Sequence, residues 1–344
     1  MTRLSQVFFQ ISLVSALQVG VLKAQTTKDL IPVVIKPAPQ HPAIALVAEG
    51  QPKAAIEKLE ALDKSDPRVA QALGVAYYHA DDPVRAIELL TPVVPRLSAD
   101  TLEGREAAQV LGLSLYIAQH LAEAIPYLER TRAWAPDNVE LLYVLGNAYV
   151  QTQKPDKARE AFARLFRVPP DSAGAHLLAA QMMVRLQFEE AAEQELQQAV
   201  AKDPRLPQAH FLLGQAALFR SRFDEAAALM QQELEINPGS AMALYRLGEI
   251  YTRQSRWDEA IAALQKSLWI NPAFSGPYIL LGKAYTKKGQ PATAEGMLRR
   301  AVEYDPNNKS AHYLLAQLLQ QTGRADEAKR EFEIAERLRD APDR

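Results

Sequence analysis

The chain has no cysteine among its 344 residues. Disulfides, a thiolate zinc site, a cysteine nucleophile and a lipidated cysteine are therefore excluded, although the absence fits either redox compartment. An excess of one charge is missing too. Basic residues number 39 against 41 acidic ones, and a net charge of −2 gives no overall pull towards nucleic acid. Long apolar runs are scarce: Val7 to Leu22 spans about 16 residues, diluted by Gln10, Ser12, Ser15 and Gln18, where a membrane-spanning helix needs ~20. No glycine-rich phosphate loop or nucleophile elbow occurs, and serine and aspartate fall in turns and caps. Of the six histidines, His176, His210 and His312 share one sequence register on different helices. Equivalent residues of neighbouring helices lie ~10 Å apart, too far to share a metal at ~2 Å bond lengths. The chain thus implies no metal and no cofactor.

What is present is a period of 34 residues. Leu111-Gly112, Leu145-Gly146, Ala179-Ala180, Leu213-Gly214, Leu247-Gly248, Leu281-Gly282 and Leu315-Ala316 follow it. So do the alanines from Ala124 through Ala158 to Ala328, and the prolines from Pro136 through Pro170 to Pro306. Between Val139 and Val150, Leu142, Leu145, Ala148 and Tyr149 recur at the spacing of a helix with one buried stripe. Pro155 opens a second helix, where its missing N–H costs nothing. Ala158, Phe162 and Leu165 form that helix's stripe, Pro169-Pro170 ends it, and Asp171 and Ser172 can cap the next. The unit is a helix–turn–helix hairpin, with Gly146 and Ala158 small where the helices approach.

These columns resemble the tetratricopeptide repeat (TPR): Leu145-Gly146, Tyr149, Ala158, Phe162 and Pro170 in one unit, Leu247-Gly248, Tyr251, Ala260, Leu264 and Pro272 in another. The family's early tryptophan is absent. Ala108, Leu142, His176, His210, Leu244, Tyr278 and His312 stand in that column. The resemblance covers roughly residues 36–338 and implies an all-α fold: a right-handed superhelical α-solenoid of about eight hairpins plus a degenerate N-terminal one.

In chain order, residues 1–24 have the features of an export signal, with Arg3 before the apolar run and Ala24 at the cut. An uncleaved anchor or an amphipathic leader are the alternatives; cleavage makes the protein periplasmic or secreted. Residues 25–42, with Pro32, Pro37, Pro39 and Pro42, read as an extended linker. A degenerate repeat follows at 43–66, with helices expected from Ala43 to Glu49 and from Pro52 to Lys64. The array occupies 67–338, in units 67–104, 105–138, 139–172, 173–206, 207–240, 241–274, 275–308 and 309–338, before a tail at 339–344. Asp100 with Glu103 reads as a capping box for a lengthened helix. The charged last helix, Ala325 to Arg339, reads as a solvated cap, with docking as the alternative.

Acidic pairs such as Asp224-Glu225 and Asp258-Glu259 open second helices, where negative charge suits the helix dipole, so no catalytic residue is assigned. The resemblance implies that first helices line a concave groove. Two first-helix columns fall outside the packing stripe: Tyr143, Leu177, Phe211, Tyr245, Ile279 and Tyr313, and one turn later Asn147, Gln181, Gln215, Glu249, Lys283 and Gln317. Large apolar side chains beside amides suit an extended peptide, and padding between helices is the competing explanation. Arg185, Arg246, Arg253, Lys283, Lys287 and Lys288 add positive charge, which points weakly to an acidic segment.

The expected function is a non-enzymatic adaptor holding a partner polypeptide, with no nucleic acid, no small-molecule substrate, and membrane contact only through an uncleaved signal. The alternative is an accessory or specificity subunit of an envelope enzyme, such as a glycosyltransferase, or of a secretion complex.

Overall fold

A computed structural model of the chain describes residues 42–340. The leader, the linker up to residue 41 and the tail beyond 340 lie outside the described residues. Eighteen α-helices and no strand occur among the described residues. The chain divides into two compact units within one helix, unit 1 ending at Glu195 and unit 2 beginning at Leu196. Unit 1 contains α1 (Pro42–Ala48), α2 (Pro52–Leu59), α3 (Pro67–His79), α4 (Pro83–Leu90), α5 (Leu102–Ile117), α6 (Leu121–Trp134), α7 (Val139–Gln151), α8 (Pro155–Leu165) and α9 (Ala173–Arg185). The division falls in α10 (Glu189–Lys202). Unit 2 contains α11 (Ala209–Phe219), α12 (Phe223–Ile236), α13 (Ala241–Arg253), α14 (Trp257–Ile270), α15 (Ser275–Lys287), α16 (Pro291–Tyr304), α17 (Lys309–Gln321) and α18 (Ala325–Asp340). In each unit consecutive helices pack as antiparallel hairpins, and each hairpin stacks on the next. This is an all-α solenoid.

The first helices begin where a short polar side chain takes an unpaired backbone N–H. Asn138 Oδ1 accepts from Leu141 N–H (2.8 Å), Ser172 Oγ from Ala175 N–H (3.1 Å), Ser240 Oγ from Ala243 N–H (3.2 Å) and Asn308 Oδ1 from Ala311 N–H (3.1 Å). Two boundaries differ from the sequence-based expectation. The cap of α5 is Thr101, whose hydroxyl accepts from Gly104 N–H at 3.2 Å; Asp100 is held back by its N–H bond to Ser98 Oγ at 3.3 Å. Helix α2 stops at Leu59 rather than Lys64, because Asp63 accepts from both Ser65 N–H (2.9 Å) and Ser65 O–H (2.8 Å), a local turn that competes with helix.

The hairpin closes on a seat. At Gly146 the ring of Phe162, not Ala158, fills the space a side chain would need. At Gly248 and Gly282 an added Cβ would meet Leu264 Cγ and Leu298 Cγ, each at 2.5 Å. Phe162, Leu264 and Leu298 are almost wholly buried, each worth ~1.5–3 kcal/mol of transfer free energy.

The turn inside each hairpin also repeats. Gln119, Gln153, Gln187, Ser221, Ser255, Gly289 and Gly323 all have positive φ, between 57° and 81°. Each lets the following residue's N–H reach back into the last turn of the first helix, as Lys154 N–H does to Tyr149 O (2.8 Å) and Gln290 N–H to Tyr285 O (2.9 Å). That is a Schellman closure.

The column that lacks tryptophan carries polar rings tied to the preceding inter-hairpin turn. His210 Nε2, Tyr278 Oη and His312 Nε2 donate to the carbonyls of Pro204 (2.9 Å), Pro272 (3.0 Å) and Pro306 (3.0 Å). His176 Nδ1 instead meets the buried Glu195 carboxylate at 2.7 Å, whose other oxygen accepts from Arg159 at 3.1 Å.

Two glycines seven positions apart give opposite expectations. Gly289→Ala should cost about 1 kcal/mol, because its φ of 71° strains any side chain. Gly296→Ala should gain roughly 0.5–1 kcal/mol, because it lies inside α16 with nothing within 4 Å of the new Cβ. Urea denaturation of the two variants checks both signs.

Candidate functional site

Successive first helices touch: α1, α3 and α5 in unit 1, and α11, α13, α15 and α17 in unit 2. Second helices make no comparable contact with one another among the described residues, so first helices form the inner side of each unit's curve. The twelve residues expected to face a groove all lie on first helices, but they do not form two uniform ladders.

In unit 1, Tyr143, Leu177 and Gln181 are half-buried, while Asn147 is 3% exposed. In unit 2, Phe211 is buried, and its N–H donates to Glu233 at 3.3 Å. Gln215 is 5% exposed and its Oε1 has no partner. Tyr245 meets Phe274 edge-on with ring centroids 4.7 Å apart, and its ring would lie 3.0 Å from a Cβ at Gly276. Burial raises its phenol above the usual range, and the Glu249 charge adds to the shift. Ile279 is half-buried against the cluster of Tyr278, Ala301 and Ala311. Tyr313 is 49% exposed, touching Phe332 edge-on at 5.6 Å and accepting from Gln317 Nε2 at 3.2 Å.

The basic residues of unit 2 are partly neutralised. Glu249 accepts from Arg246 at 2.7 Å and from Arg253 at 2.8 Å, and Lys288 pairs with Asp258. Lys283 and Lys287 are exposed, with no carboxylate partner among the described residues.

Unit 1 brings together side chains that were not singled out from the sequence. Gln71 Nε2 on α3 donates to Glu106 Oε2 on α5 at 2.8 Å. One turn on, Gln109 is 2% exposed and its Oε1 has no partner. Burial raises the Tyr116 phenol on α5, an effect opposed by Asn147 on α7, whose Oδ1 has no partner. Tyr78 on α3 feels the charge of Glu140, and with burial as the main cause its phenol is pushed up to about 12. Burial likewise raises the Glu106 carboxyl, opposed by the Gln71 hydrogen bond and reinforced by Glu103. A sequence signal existed: Gln109 stands one period of 34 residues before Tyr143, in the same column, and Gln71 joins it once the irregular first step is allowed for.

The arrangement offers acceptors, rings and apolar surface. Among the described residues no three histidine, aspartate or glutamate side chains converge on a metal position. No helix there is long and apolar enough to cross a membrane.

Two models of the tetratricopeptide repeat match the chain, one over residues 115–182 and 285–343, the other over 183–241 and 211–276. Together they span more than half of it. No curated protein matches. Among solved structures, MamA from Desulfovibrio magneticus RS-1 is 22% identical over 51% of this chain and 98% of its own, with a TM-score of 0.47. The anaphase-promoting-complex hetero-tetramer Cut9–Hcn1 is 18% identical over 80% of this chain and 52% of its own, with a TM-score of 0.44. A thermophilic TPR protein from Thermus thermophilus is 20% identical over 48% and 91%, with a TM-score of 0.41. At these identities the likeness is one of fold alone.

Two outcomes follow from the packing. Tyr245→Ala should lower unfolding stability by about 2–3 kcal/mol and Tyr313→Ala by less than ~1 kcal/mol, measured by urea titration. Because Glu106 is raised in the folded state, its contribution to stability is full below the ordinary carboxylate value and lost as pH rises through the raised one. Carboxyl NMR titration should place Glu106 above 4.5, and Gln71→Leu, which removes the opposing hydrogen bond, should move it higher.

Proposed function

Because this chain belongs to the tetratricopeptide-repeat family, whose members bind protein partners, we propose that it is a non-enzymatic adaptor holding an extended partner polypeptide on its first-helix faces. One observation carries this reading: rings and aliphatic chains stay accessible on the inner helices, beside polar side chains one turn away. Tyr313 is the clearest case, half exposed beside Gln317, and Tyr143 and Leu177 remain partly accessible in unit 1. Phe211 and Tyr245 serve mainly as packing, which restricts the anchors to fewer positions. Leader residues 1–24 support export from the cytoplasm, and a mature N-terminal mass lacking them is the check.

A photoreactive residue at Tyr143 or Tyr313 should crosslink to a discrete polypeptide, whereas one at Lys266, exposed on second helix α14, should not. With the captured partner in hand, Tyr313→Ala should weaken binding about tenfold. Equal capture from Lys266, or none from any position, rejects the proposal. Capture of a single stoichiometric enzyme would favour the accessory-subunit alternative.

A further inference from the structure

The inner face of unit 1 carries negative charge and unpaired acceptors without cations to match. Glu106 and Glu140 have no lysine or arginine within 4.0 Å among the described residues. The nearest cation in sequence, Arg105, is turned away over the Trp134 ring, 5.8 Å from its centroid. Gln109 and Asn147, 2% and 3% exposed, each hold an amide oxygen with no donor. A buried acceptor left unpaired is costly, and native structures nearly always supply a partner. Half-buried Leu113 lies between Gln109 and Tyr116 on the same face of α5.

We propose that this face, formed by Glu106, Gln109, Tyr116, Glu140, Tyr143 and Asn147, docks a lysine or arginine side chain of the partner segment. The inference rests on the protein-binding reading above and adds the chemistry that the partner brings.

Three features select a cationic side chain over other donors. A neutral backbone N–H could satisfy Gln109 or Asn147 but would leave both carboxylates unmatched. A guanidinium or ammonium supplies several donors and a full charge at once. Tyr116 and Tyr143, half-buried on α5 and α7, are rings of the kind that attract a cation, and half-buried Leu113 adds apolar surface of the kind its methylene stem packs on. A bare divalent ion fits poorly, because no three metal-binding side chains converge among the described residues. An acidic segment would set charge against charge.

The test uses the full chain, immobilised, with pools of random nonapeptides that differ only in one fixed central residue: arginine, lysine, leucine or glutamate. The arginine and lysine pools should be retained about tenfold above the glutamate pool, as expected for charge-assisted hydrogen bonds. The double variant E106Q/E140Q, which keeps shape and removes charge, should bring that ratio close to one. It should leave the leucine pool unchanged and should not lower the melting temperature, since the Glu106 charge it removes is disfavoured by burial. Asn147→Asp, which adds a carboxylate in place, should raise retention of the arginine pool. A preference for the glutamate pool, or a basic preference that survives in E106Q/E140Q, overturns the cation site while the protein-binding reading stands. Retention of no pool, together with no crosslinking from Tyr143 and Tyr313, overturns both.

Discussion

A first helix with no side chain at one position lets the bulky residue of its partner helix sink into the gap, and the rest of the architecture depends on that contact. Helices of 13 or 14 residues, such as α7 and α12, are marginal alone in water. Gly146 with Phe162, Gly248 with Leu264 and Gly282 with Leu298 bring the two axes of a hairpin together and bury the stripe of each. The seat recurs at one spacing, with alanine in place of glycine at Ala180 and Ala316, so the close approach falls at the same point of successive hairpins. Only then can residues with equal offsets share a face. The columns of the inner surface are a consequence of the glycine seat.

Polar groups are handled by the same repetition. The Schellman turn satisfies carbonyls at the end of each first helix, and short polar caps satisfy N–H groups at several of their starts. The column without tryptophan adds a tie of its own. His210, Tyr278 and His312 reach back to the carbonyl of the proline six residues earlier, which fixes the turn between hairpins as well as filling space. A tryptophan offers one N–H donor; a histidine brings a second ring nitrogen. At His312 that nitrogen meets Glu331, joining the first helix of the last hairpin to its second.

The hairpin fold was legible because alanine, proline and the leucine–glycine pair are each forced by local geometry, so they recur as letters. The left-handed turn recurs as a conformation but not as a letter. Gln153, Ser255 and Gly289 occupy it interchangeably, so the sequence hides it. The partner of Gly146 was misplaced for a related reason: Ala158 looks like a small residue matched to a small residue, whereas the seat needs the ring of Phe162. The residues of the two columns lie on first helices, but their exposure was not legible. Tyr245 packs because Phe274 and Gly276 happen to lie beside it, and neither belongs to a column. Gln109 stands in register 34 residues before Tyr143, but a glutamine does not read as part of an apolar column, and the irregular step before it hid Gln71, the partner of Glu106.

These failures share a cause that bears on function. Periodic residues build the wall and say nothing about what it holds, since any array with the same seats would stand equally well. Recognition must be written in residues that break the period. In unit 2 the offset of Asn147 carries Glu249, clamped by two arginines, and then the exposed Lys283. In unit 1 the offset of Tyr143 carries Gln109, with Glu106 one turn before it. Substituting such a residue changes chemistry without touching a glycine seat. Partner choice can therefore drift while the fold stays fixed, and the repeat that makes the architecture easy to read is what makes its specificity hard to read.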